Sequence, residues 1–143
     1  MSPQQMKRRA RRLDEEVFTQ GDLTVADELV ADDCVDHIRA LPGRPGVAGL
    51  KDWVTTLRRT FPDLHLIVED QITEADRVAT RSTVRGTHAG AFLGVAPTGR
   101  QVAFEVIDIN RIGADGRIVE RWAAVDTASL LVQLGAPPPD TAA

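Results

Sequence analysis

The hydrophobic period of this chain changes once, and the change divides it into a helical half and a β half. Val47, Leu50, Val54, Leu57 and Phe61 recur three or four residues apart, which places them on one face of a helix. Phe61-Pro62-Asp63 ends that helix, because the residue before a proline is pushed out of the helical region. Beyond it the period is two. Leu64 to Ile72 is rich in β-formers, and Glu74-Ala75-Asp76 reads as a turn. From Arg77 to His88, Val78, Thr80, Ser82 and Val84 alternate with Arg77, Arg81 and Arg85, as on a strand with one face buried. Gln101 to Ile112 reads as a long strand and Gly113-Ala114-Asp115-Gly116 as a hairpin turn with the favoured Asp-Gly pair. Arg117 to Val125 is the last strand, followed by a short helix carrying Leu130, Leu131 and Leu134.

Before the switch, Met6, Ala10, Leu13 and Val17 predict a helix from about Pro3 to Gln20, stopped by Gly21. Val25, Leu29 and Val30 predict a second, short helix with Thr24 as its cap. Cys34 to Ile38 reads as a short extended piece, and Leu41-Pro42-Gly43-Arg44-Pro45-Gly46 as a turn-rich loop. Helices first and an antiparallel meander second give an α+β fold: a cone-shaped, curved antiparallel sheet with the N-terminal helices packed on one face, enclosing a pocket. Trp53, Leu57 and Phe61 are expected to close the helical side, and Phe104 and Trp122 to line the pocket. One domain is expected over residues 1–135, with a proline-rich, disordered tail over 136–143.

Composition excludes several classes of function. The 143 residues carry a net charge of −4, so no global basic field exists to hold nucleic acid. The basic run Lys7-Arg8-Arg9, with Arg11 and Arg12, is followed at once by Asp14, Glu15 and Glu16, as on a solvated helix face. Cys34 is the single cysteine, so neither an internal disulfide nor a cysteine-based metal site is open. With no basic neighbour in sequence, Cys34 reads as a buried filler. His37, His65 and His88 lack a metal-site spacing, and no glycine-rich phosphate loop follows a strand. Nothing apolar is long enough to span a membrane and no signal-peptide core opens the chain, so a cytoplasmic protein is expected.

The residues that can carry chemistry gather on the last strands. By strict alternation Ile118, Glu120, Trp122, Ala124 and Asp126 share a face, which sets an indole and a carboxylate on the same side. Two roles are open for Asp126. In an apolar pocket it would be an acid/base able to take and return a proton next to a carbonyl; ahead of Thr127 and Ala128 it would cap the terminal helix. Asp108 and Asn110 share a face with Phe104 and Val106, as pocket lining or as a structural hydrogen-bond network. Strict alternation puts Arg111 on the other face unless a bulge turns it. His37 and His88 are candidates for donors to a developing oxyanion, and His88 precedes a loop with Phe92 in it.

Several segments, taken in order, resemble the SnoaL-like polyketide cyclases of the nuclear-transport-factor-2-like superfamily. They are Val35-Asp36-His37, Phe61-Pro62-Asp63-Leu64, Gly86-Thr87-His88-Ala89-Gly90, Pro97-Thr98-Gly99-Arg100, Asp115 to Trp122, then Asp126, Leu130-Leu131 and Gln133-Leu134-Gly135. The resemblance covers about Glu16 to Gly135. It implies a cofactor-free enzyme, active as a homodimer or larger oligomer, that closes a ring in a hydrophobic polycarbonyl intermediate of secondary metabolism by aldol chemistry. It also implies Asp126 as acid/base, with His37 or His88 as oxyanion donor and Phe18, Trp53, Phe92, Phe104, Asp108 and Trp122 around the substrate. Related proteins of the fold are hydroxylases, isomerases, epoxide-opening enzymes or non-catalytic modules, and these readings stay open. Where many relatives have histidine before the tryptophan, this chain has Arg121, so a histidine, Arg111 or Arg121 is open as partner of the aspartate.

Overall fold

The computed structural model describes residues 1–38 and 43–136; the expected tail, apart from Ala136, lies outside them. Helix α1 (Pro3–Arg12) begins at a capping box. Ser2 Oγ accepts from the Gln5 backbone N–H, the Gln5 side chain returns the bond, and Pro3 fills the first turn. The chain then widens into a π-helical stretch, Leu13–Thr19, a rare form concentrated at functional sites. Gly21, at φ 74°, ends it. Helix α2 (Leu23–Leu29) is capped by Asp22, whose carboxylate accepts from Thr24 N at 3.1 Å; the expected cap, Thr24, is one residue inside. Strand β1 (Val30–Asp36) follows directly, and helix α3 (Gly46–Thr60) carries the predicted stripe, with Val47, Leu50, Val54 and Leu57 buried. Strands β2 (His65–Glu74), β3 (Arg77–Thr87), β4 (Gln101–Ile112) and β5 (Ile118–Val125) and helix α4 (Thr127–Gln133) complete the chain.

The five strands form one open sheet in the order β1-β5-β4-β3-β2. The meander β2 to β5 is antiparallel as expected, but β1 pairs with β5 in parallel, through Val30↔Ile118 and Asp36↔Arg121. The sheet is therefore mixed. The helices cover one face, where Val78, Thr80, Ser82 and Val84 of β3 and Val102, Phe104, Asp108 and Asn110 of β4 are buried. Phe61, fully buried at the end of α3, packs its ring against Phe92 and Phe104, with centroids 6.1 and 6.3 Å apart. Helix α4 is tied to the sheet by Gln133. Its side-chain amide donates to Ala103 O at 2.7 Å and accepts from Ala103 N at 2.9 Å, filling ladder positions beyond the end of β5. No described helix is long and apolar enough to cross a membrane.

One irregularity decides which side chains face inward. Ile112 pairs with Ile118 while Arg111 pairs with Glu120, so Val119 is an extra residue on β5. A one-residue bulge sends every later side chain to the opposite face. Ile118 and Arg121 are both buried as a result.

Candidate active site

Between the covered face of the sheet, the π-helical stretch and α3 lies a cavity of about 90 Å³. Its wall is mostly apolar: Phe18, Trp53, Leu57, Leu66, Val84, Phe92, Phe104, Val106 and Leu130. The β3–β4 connection closes part of it. Phe92 and Val95 exchange backbone hydrogen bonds of 3.0 and 2.9 Å, leaving Leu93-Gly94 as a two-residue turn with both residues at positive φ. Phe92 and Leu93 from this turn line the cavity, and Leu93 stays 44% exposed.

The polar end of the cavity is built from four elements. Asp14 comes from the π-helical stretch, Ser82 from β3, Asp108 from β4 and Arg121 from β5, and all four residues are buried. Ser82 Oγ donates to Asp14 Oδ2 at 2.7 Å. Arg121 Nε donates to Asn110 Oδ1 at 3.1 Å and its Nη1 to Asp36 Oδ2 at 3.0 Å, which fixes the plane of the guanidinium. Asn110 Nδ2 reaches Asp108 Oδ1 at 3.4 Å, so a polar chain runs from Asp36 through Arg121 and Asn110 to Asp108. Burial pushes the Asp108 carboxyl up to about 7, and the charge of Asp14 adds to it against the pull of Arg121. Burial raises Asp14 as well, opposed by the Ser82 hydrogen bond and by Arg121. A carboxyl that titrates near neutrality can both remove and return a proton. A guanidinium in the same apolar cavity can donate to an oxygen that gains negative charge.

The cavity brings together five of the expected residues, Phe18, Trp53, Phe92, Phe104 and Asp108. Four others are placed elsewhere. Asp126 is exposed and acts as N-cap of α4, accepting from Ser129 N at 3.1 Å. Trp122 does not line the cavity but faces the outer side of the sheet, because the bulge at Val119 inverts the alternation expected for β5. His37 is on that side too, stacked on Trp122 with centroids 5.0 Å apart and planes 8° from parallel. Its Nε2 meets Glu120 Oε2 at 2.8 Å, while Arg111 Nε donates to Glu120 Oε1 at 3.0 Å and Arg77 covers the indole at 4.9 Å. Both partners hold the Glu120 carboxyl below its ordinary range, His37 first.

His88 is fully buried behind Phe61, with ring centroids 6.1 Å apart. Its Nδ1 accepts from Thr98 N at 3.2 Å, and its backbone N–H and C=O bond to Arg100 O and Gly99 N. It pins the base of the β3–β4 connection and does not reach the cavity. Cys34 is buried too, and burial pushes its thiol up to about 11, which keeps it protonated and unreactive. Among the described residues no three His, Cys, Asp or Glu side chains converge as metal ligands would.

Asp14 and Ser82 are the members that sequence reasoning passed over. Asp14 follows Ala10 by four residues and precedes Phe18 by four, so it lies on the apolar stripe of its helix. A carboxylate in that stripe was the available signal, hidden by the neighbouring Glu15 and Glu16.

Comparison with known proteins agrees with this architecture. The family model for SnoaL-like polyketide cyclases matches residues 8–134. IdmH from Streptomyces antibioticus, a candidate polyketide cyclase, is 36% identical over 92% of this chain and 99% of its own, with a TM-score of 0.79. AclR from Streptomyces galilaeus, a candidate hydroxylase, is 31% identical over 96% of this chain and 89% of its own, with a TM-score of 0.82. TsrD from Streptomyces laurentii shares the fold, at a TM-score of 0.87 and 24% identity over 95% and 98% of the two chains. No curated protein matches the chain. By the family model and by these identities over nearly its whole length, the chain belongs to the SnoaL-like polyketide cyclase family.

Proposed function

We propose that this protein is a cofactor-independent cyclase that closes a ring in a hydrophobic polycarbonyl substrate by intramolecular aldol addition. The observation that carries this reading is the buried Asp108 carboxyl, pushed up to about 7, in an apolar cavity that also holds the fixed Arg121 guanidinium. Asp108 takes the proton from a carbon between two carbonyls, and Arg121 donates to the enolate oxygen that forms. The enolate carbon then attacks a second carbonyl of the same molecule, and the new alkoxide receives a proton from a carboxyl of the cavity. The relation to IdmH, a candidate polyketide cyclase, supports the reaction class. The relation to AclR, a candidate hydroxylase, favours hydroxylation as a second reading for the same cavity.

The sequence expectation of Asp126 as acid/base gives way here to Asp108, since Asp126 is spent on capping α4 outside the cavity. The test is turnover of a phenyl-capped linear triketone, without added cofactor, by Asp108→Asn and Asp126→Asn proteins. The rate falls roughly 10²–10⁴-fold in the first and holds in the second. Parental turnover by Asp108→Asn would remove this reading, and binding of the triketone without turnover by the parent would leave a ligand-binding module in its place.

The outer face of the sheet exposes Ile72 and Ile107, 71% and 50%, beside the half-buried Trp122. We infer a homodimer joined there, since an exposed apolar face of this kind marks an interface.

A further inference from the structure

Asp14 is a carboxylate that neither the family resemblance nor the reading above uses. The π-helical stretch turns it out of the acidic run it shares with Glu15 and Glu16 and into the cavity, where it is 3% exposed and tied to Ser82 at 2.7 Å. The charged groups around the cavity's polar end are Asp14 from that stretch, Asp108 from β4, Arg121 from β5 and Asp36 from β1, with Cys34 of β1 near Arg121 and with Arg11 and Glu15 outside. The polar side chains that β3 turns inward, Thr80 and Ser82, are neutral. Among the described residues Arg121 is the one buried guanidinium, and it directs its hydrogen bonds to Asp36 and Asn110. Asp14 and Asp108 are thus two buried carboxyls in one cavity without an ion-pair partner of their own among the described residues, and like charges in such a place do not both ionise near neutral pH.

We propose that Asp14 and Asp108 form an acid/base pair holding one proton between them, so that one carboxyl accepts a proton from the substrate while the other gives one up. Resting on the aldol reading, this supplies the step that a single base leaves late. At rest the shared proton lies on Asp108 and the charge on Asp14. Passing that proton to Asp14 frees Asp108 as the carboxylate that removes the α proton, and Asp14 gives its proton to the alkoxide oxygen when the carbon–carbon bond closes, which returns the proton to Asp108 and the charge to Asp14. No electron pair leaves the substrate and no co-reactant is consumed. The substrate class follows: a chain whose acidic CH₂ and accepting carbonyl reach the two carboxyls in the same bound pose. Ser82 is a positioning residue, because its hydroxyl fixes which oxygen of Asp14 is free.

The test is carboxyl ¹³C NMR of the full chain with labelled aspartate, between pH 4 and 9, on the parent, Asp14→Asn and Ser82→Ala. In the parent, the Asp14 and Asp108 signals each move in two steps over a common pH range. Asp14→Asn lowers the Asp108 midpoint by about one pH unit or more, because a like charge is gone. Ser82→Ala raises the Asp14 midpoint, because the hydrogen bond favoured the charged form, and Asp108 falls in answer. Ser82→Ala carries the test if Asp14→Asn does not fold. Independent single-step titrations, indifferent to either substitution, overturn the pair. Activity gives a separate reading with the phenyl-capped triketone. Asp14→Asn keeps exchange of the α proton with deuterated water and loses ring closure roughly 10²-fold; equal loss of both refutes the division of labour. If instead the triketone is inert with every protein, the aldol reading fails while the NMR result still decides the proton sharing.

Discussion

Replacing Asp108 by asparagine should stabilise the protein above neutral pH, by an amount that follows from its burial. In the unfolded chain the carboxyl ionises near 3.8, and in the folded protein near 7. A carboxyl raised by folding favours the folded state below its unfolded value. That advantage is lost as pH rises through the folded value, because the unfolded chain then releases a proton that the native state retains. The full separation corresponds to about 4 kcal/mol, and integrating between pH 5 and pH 8 leaves about 3 kcal/mol. Asparagine keeps the shape and the contact with Asn110 but does not titrate. Urea unfolding of the parent and of Asp108→Asn at pH 5, 6, 7 and 8 therefore gives two stability profiles that diverge with rising pH, the variant's advantage being about 3 kcal/mol larger at pH 8 than at pH 5. Profiles that run parallel across this range refute the argument, since they mean that Asp108 ionises in the folded protein as it does in water.

Capping, backbone strain and the outer face of the sheet each give a further expected outcome. Asp126→Ala lowers stability by about 1 kcal/mol while Asp126→Asn leaves it unchanged, as expected of an N-cap, and thermal melts of both read it directly. Gly46→Ala destabilises by about 2 kcal/mol or more, because φ is 68° there and a Cβ would lie 1.8 Å from Asp32 O; denaturant midpoints measure it. Light scattering gives about twice 15.5 kDa for the parent and the single mass for Ile107→Arg, which charges the outer face of the sheet.

The fold was legible wherever one physical rule governed a whole segment. The stripe from Val47 to Phe61 became α3, and the alternation of β3 and the Asp-Gly turn before β5 appear in the structure with little change at their ends. Strand β1 was legible only from Cys34 on, as a short extended piece, because its partner, β5, is more than 80 residues away and pairs in parallel, and its burial does not alternate. The site was legible on β4, which keeps its period, so that Phe104 and Asp108 could be assigned a common face. On β5 the same reasoning failed at Val119, where one extra residue exchanged Trp122 for Arg121 on the cavity side. No local signal announces a bulge of this kind. Asp126 illustrates the other limit. An aspartate before a short helix satisfies capping and catalysis equally well as text, and the structure adds the capping hydrogen bond from Ser129.

The cavity's size has a consequence for how tightly anything binds in it. About 90 Å³ is well below the roughly 300–1,000 Å³ of pockets that take drug-sized ligands. A polycarbonyl chain therefore enters only molecules in which the wall has already widened or widens around it. Measured affinity is then the intrinsic affinity multiplied by the fraction of widened molecules. Leu93 is the natural place for that equilibrium to be set, because it stands at the mouth with φ at 51°, a conformation that costs a non-glycine residue about 1–2 kcal/mol. Substitutions at this turn alter the occupancy of the open state before they alter any contact with the ligand, so they shift apparent affinity for every ligand by the same factor.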